Sequence, residues 1–159
     1  AAVGEAPTAT HAVTATAPAA KLMVAAFSPD GEKIAYAAAL DIGHAWGGDA
    51  AKVGIAQRRI WVMNADGSEE RPLTGDPAYR DERPLWSADG SHILFARMTE
   101  SGHASLWLVN VTGGDLRQVV DELTPAPEWF GVYGHIEWDA FFDWRTCPGQ
   151  WAETGSEGE

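Results

Sequence analysis

Cysteine is almost absent from this sequence. Cys147 stands alone among 159 residues, so no internal disulfide and no cysteine-based zinc site can form. Basic side chains are scarce too: 11 Lys and Arg face 23 Asp and Glu, a formal net charge of −12. The one basic run is Arg58-Arg59. Phosphate backbones and anionic bilayers attract clustered positive charge, so neither nucleic acid nor a membrane surface is an expected partner. No apolar run reaches the roughly 18–20 residues that span a bilayer, so no membrane insertion is expected.

Signatures of chemistry are missing as well. There is no G-x-S-x-G elbow, no glycine-rich phosphate loop and no H-E-x-x-H. The five histidines (His11, His44, His92, His103 and His135) never pair at i+3 or i+4. Asp30, Asp66 and Asp89 precede glycines but sit in no D-x-D-x-D-G loop with a closing Glu, which argues turn chemistry and not calcium. Neighbouring acids such as Glu69-Glu70 and Asp81-Glu82 would point to opposite faces of a strand, which defeats a paired-carboxylate site within one element. The expectation is no catalytic residue, no metal and no cofactor.

What the chain has in quantity is tryptophan, glycine and repetition. Eight tryptophans, 17 glycines and 45% hydrophobic residues point to short strands joined by tight turns. Residues 27–36 read FSPDGEKIAY and residues 86–95 read WSADGSHILF; residues 60–67 read IWVMNADG and residues 106–113 read LWLVNVTG. Trp61 and Trp107 lie 46 positions apart, Phe27 and Trp86 lie 59 apart, and the surplus falls within 40–57. Each unit reads as four antiparallel strands: near 22–28, 33–39, 59–64 and 70–74, then near 83–87, 92–98, 105–111 and 116–120. The turns carry Asp30-Gly31, Asp66-Gly67 and Asp89-Gly90, where Gly accepts positive φ and Asp bonds its own backbone. Weak alternation in Ile93-Leu94-Phe95 fits strands buried on both faces.

The pattern aromatic-S-P-D-G-x-x-I-apolar-aromatic, followed by I-W-V-M-N-A-D-G and Leu73-Thr74, resembles the repeat of TolB-like, WD40-like (PD40-type) β-propellers. The second copy departs mildly, with Ala88 in place of Pro29 and Val111-Thr112-Gly113 in place of Ala65-Asp66-Gly67. The fold expected is all-β: two four-stranded antiparallel blades over 22–124, a part of a ring of six to eight blades. Two blades cannot close a ring, so the chain is expected to be a portion of a longer propeller or to cover its faces by self-association.

The ends look different. Residues 1–21 are rich in Ala, Thr and Pro and read as a flexible leader. Residues 125–145 hold seven aromatics, and Trp138, Phe141, Phe142 and Arg145 have the spacing of a short amphipathic helix, expected to cap an open blade face. Residues 146–159 read as a frayed tail.

One end of such a meander gathers the insertion 40–57, the loop 75–82 and the short loop 99–104. Binding residues concentrate on loops held by a rigid scaffold. His44, Trp46, Tyr79, Arg80, Asp81 and His103 are therefore the candidate ligand-binding residues. The resemblance implies a non-enzymatic scaffold that binds a protein or peptide, in an extracytoplasmic location. The alternative it implies is the propeller portion of a prolyl-oligopeptidase-like serine peptidase, whose hydrolase domain is not in this sequence.

Overall fold

The structure, a computed structural model, describes residues 21–39, 48–123 and 136–144. The first sheet contains β1 (Lys21–Phe27), β2 (Lys33–Ala39), β3 (Arg59–Asn64) and β4 (Arg71–Pro72), with helix α1 (Gly48–Ala56) inserted between β2 and β3. The second contains β5 (Tyr79–Trp86), β6 (His92–Thr99), β7 (Ala104–Asn110) and β8 (Arg117–Val120). Among the described residues every pairing is antiparallel and sequential, which gives two meanders in series, the expected pair of four-stranded blades.

Local chemistry explains why the two sheets match. In the first hairpin the Ser28 hydroxyl donates to Asp30 Oδ1 at 2.5 Å, and the same oxygen accepts the Glu32 N–H at 3.0 Å. In the second, Ser87 donates to Asp89 Oδ1 at 2.6 Å, and that oxygen accepts the Ser91 N–H at 3.0 Å. Gly31 and Gly90 take φ of 75° and 68° at the same place in each turn, a region that side chains disfavour. Each carboxylate is held below its ordinary value of 3.8, mainly by its serine hydroxyl and then by a backbone N–H. The repeat extends to strained residues that no motif reveals. Val24 and Arg83 both have positive φ, and the register slips beside each in its innermost strand. A β-branched residue there is a genuine outlier, so the bulge is imposed by the fold.

The sheets stack face to face. Ala35, Ala37, Ile60, Val62 and Leu73 of the first pack against Ile93, Phe95 and Val109 of the second, with Trp86 and Trp107 at the margin. The small side chains at 35 and 37 leave room for the larger residues opposite; burying each Phe- or Ile-sized residue stabilises by about 1.5–3 kcal/mol. Polar bonds between the sheets fix the stacking, among them Arg71 to the Val111 carbonyl and Arg58 to Glu82. Trp86 Nε1 donates to the Ala26 carbonyl at 2.9 Å, and the Asp81 N–H donates to the Arg58 carbonyl at 3.1 Å. The far face of the second sheet (Ala96, Met98, Ala104, Leu106) is covered by Leu123, Ile136, Trp138, Phe141 and Phe142.

Three expectations change in detail. Part of the insertion, read as loop, forms helix α1. Strand β5 begins at Tyr79, four residues before the sequence reading placed it, so Tyr79, Arg80, Asp81 and Glu82 belong to a strand and not to a loop. The helix expected over 136–145 narrows, among the described residues, to a 3₁₀ turn at Trp138–Ala140, with Phe141 and Phe142 donating back to the Trp138 carbonyl. The leader 1–20, residues 40–47, 124–135 and 145–159 lie outside the described residues.

Candidate functional site

The loop-bearing end is assembled by register. Ala38 opposes Arg59, and Tyr79 opposes Thr99. Helix α1, the connection 73–78 and the turn 100–103 therefore emerge on the same side. Each is tied down locally. Thr74 Oγ1 accepts the Ile60 N–H at 3.0 Å, and Asp76 Oδ1 accepts the Ala78 N–H at 3.0 Å. The Thr99 N–H donates to the His103 carbonyl at 2.9 Å, with Gly102 at φ 90° closing the turn. Arg59 caps the end of α1 by donating to the Ala56 carbonyl at 3.1 Å and to the Arg58 carbonyl at 2.7 Å. Burial lowers the Arg59 guanidinium from its ordinary value, while the charge of Asp81 opposes the shift.

Beneath this rim lies a buried ionic floor. Asp81 receives both Nε and Nη2 of Arg97, at 2.7 and 2.9 Å, from the directly opposed position on β6. The Arg97 guanidinium also lies 4.7 Å from the centroids of both the Tyr79 and Trp107 rings. That packing suits a planar, weakly hydrated cation. On the other face of β5, Glu82 accepts from Arg80 Nε at 2.9 Å, from Arg58, and from Trp138 Nε1 at 2.7 Å. Burial is the main cause that lowers the Arg80 guanidinium from its ordinary value, and Glu82 opposes it.

The candidate residues thus fall into three groups. His103 is exposed and Tyr79 half-buried at the rim. Arg80 and Asp81 are 0% exposed, so they form the floor and not the contact surface. Their alternation on β5 sends one to each face of the sheet. His44 and Trp46 lie outside the described residues. Sequence reasoning missed Val53, 49% exposed on α1 at this end, because its segment read as loop. It also missed Arg97 and Glu82, whose importance depends on partners 16 and 56 positions away. Among the described residues no group of three metal-ligating side chains occurs, and no helix is long and apolar enough to cross a membrane.

No family model matches the chain. A stretch of 72 residues, 44% of the chain, is 42% identical to the Tol-Pal system protein TolB of Rhizorhabdus wittichii. The TolB of Zymomonas mobilis is 40% identical over the same length. The chain spans 16% and 15% of these two relatives. Among solved structures, a putative TolB from Agrobacterium tumefaciens aligns over 62% of this chain and 32% of its own, at 22% identity and a TM-score of 0.47. The matched stretch resembles TolB, and the two four-stranded antiparallel meanders have the architecture of propeller blades.

Proposed function

We propose that this chain is a non-enzymatic binding scaffold, a portion of a longer TolB-like propeller whose loop-bearing end engages a protein or peptide partner outside the cytoplasm. The observation that carries the reading is the construction of that end. Three connections from two blades converge above a floor of buried ion pairs, which holds the rim without offering its own charges to solvent. A rigid base under adaptable loops is the arrangement from which protein recognition commonly works. Similarity to TolB supports a component of a Tol-Pal system as the partner class and an extracytoplasmic setting. Tyr79, His103 and Val53, with His44 and Trp46 of the insertion, are the proposed contact residues; Arg80 and Asp81 support them.

The reading is tested by replacing residues 40–57 with a short linker like the turn that joins β6 to β7. The altered chain should stay folded and lose capture of Tol-Pal components. Equal capture by both forms would remove the insertion from the proposed surface.

A further inference from the structure

The segment Ile136–Trp144 lies on a surface that the repeat itself identifies. Ala35, Ala37 and Ile60 form the face of the first blade that receives the second. Their repeat equivalents are Leu94, Ala96 and Leu106, at the same offsets of 59 and 46 positions that relate the turns and the paired tryptophans. These three lie in the cluster covered by Ile136, Trp138, Phe141 and Phe142. The backbone repeats as well. The Asp81 N–H reaches the Arg58 carbonyl where the second blade begins, and the Leu123 N–H reaches the Ala104 carbonyl, 46 positions on, at 2.8 Å. Leu123 therefore enters as the first strand of a further blade would.

We propose that residues 136–144 are a blade surrogate, which occupies the seat of a third blade and excludes any blade-like sheet from that face while it is docked. Trp138 supplies the large aromatic surface that Phe95 and Trp107 supply at the first interface. Its Nε1 is held by Glu82, the carboxylate that also takes Arg58 of the first blade and Arg80 of the second. Arg83, at the β5 bulge, pairs with Asp139 and fixes the turn beside it. The partner this face fits, once uncovered, is another propeller-type sheet with an apolar, aromatic inner face, a second copy of this chain being the one at hand. The proposal concerns a different surface from the loop-bearing end. Trp138 shares Glu82 with the floor of that end, whereas the Phe142 side chain makes no bond to it, so Phe142→Ala separates undocking from any effect on partner binding there.

The test uses the full chain with Trp138→Ala and, as a milder change, Phe142→Ala. Met98 is buried beneath the segment and Met63 lies in a separate cluster on the first blade, so their oxidation rates report local against general opening. Undocking should quicken Met98 oxidation about tenfold relative to Met63, since local opening exposes only what the segment covers. Light scattering should then show concentration-dependent association absent from the parent chain, reversed by excess synthetic peptide of residues 136–144. The proposal is overturned if Met98 and Met63 accelerate alike in both variants, if neither accelerates, or if the uncovered face gains no association.

Discussion

Replacing Asp81 with Asn should destabilise the protein far more than its size suggests. The change preserves shape but removes the charge that receives two bonds from Arg97, at 2.7 and 2.9 Å, with both side chains almost fully buried. Arg97 keeps its place between Tyr79 and Trp107, where stacking contributes about 0.5–2 kcal/mol. That cannot offset an uncompensated buried cation, and breaking such a pair costs about 3–5 kcal/mol. A small domain has only about 5–15 kcal/mol in total, so the melting temperature should fall by more than about 10 °C. Urea unfolding followed by tryptophan fluorescence reads this directly, because Trp107 touches the guanidinium. The double variant Asp81→Leu with Arg97→Met should recover most of the loss, since an apolar pair of similar volume removes both desolvated charges. Arg117→Met is the control: its side chain is 58% exposed and lies 3.7 Å from Asp115, so the cost should stay below about 1 kcal/mol. A loss for Asp81→Asn no larger than that of the control would refute the view that this pair is the floor of the site.

Other perturbations follow from the same structure. Gly31→Ala meets no atom within 4 Å at its new Cβ but must hold φ 75°, so it should cost about 1 kcal/mol through the backbone alone; an unchanged unfolding midpoint would contradict the turn assignment. Asp89 titrates below its ordinary value of 3.8 in the folded state, so its contribution is present above that value and is lost as pH falls below it. Asp89→Asn should therefore flatten the acid side of the stability profile, and an unaltered profile would count against the Ser87 and Ser91 bonds. Tyr36 is pushed above its ordinary value of 10.0, first by burial, then by its bond to Glu70 and that carboxylate's charge. Its contribution is complete below 10.0 and is lost as pH rises beyond. Ultraviolet difference titration should find one tyrosine still protonated at a pH that ionises exposed phenols, absent in Tyr36→Phe.

What could be read from the sequence was what depends on near neighbours. The hairpins at Asp30 and Asp89 are closed by serines two residues away, and the strands they join were located to within a residue or two except at the start of β5. The start of β5 was not legible, because Tyr79-Arg80-Asp81-Glu82 carries the polarity of a loop. Those charges are tolerated inside only because Arg97 and Arg58 arrive from other strands and Trp138 from the tail. The bulges at Val24 and Arg83 were invisible too, because the intrinsic preferences of these residues oppose the positive φ they adopt. The aromatic spacing near Trp138 indicated a buried stripe but not its length as a helix, since propensity over so few residues yields to packing.

The function assigned to the loop-bearing end rests on which end of the blades meets a partner. A photoreactive residue at His103, exposed in the β6–β7 turn, samples that end, and one at Ser68, exposed in the β3–β4 turn, samples the opposite end. In cells that contain a Tol-Pal system, adducts identified by mass spectrometry should form with a component of that system from position 103 and not from position 68. Adducts from position 68 alone, or equally from both, would contradict the account.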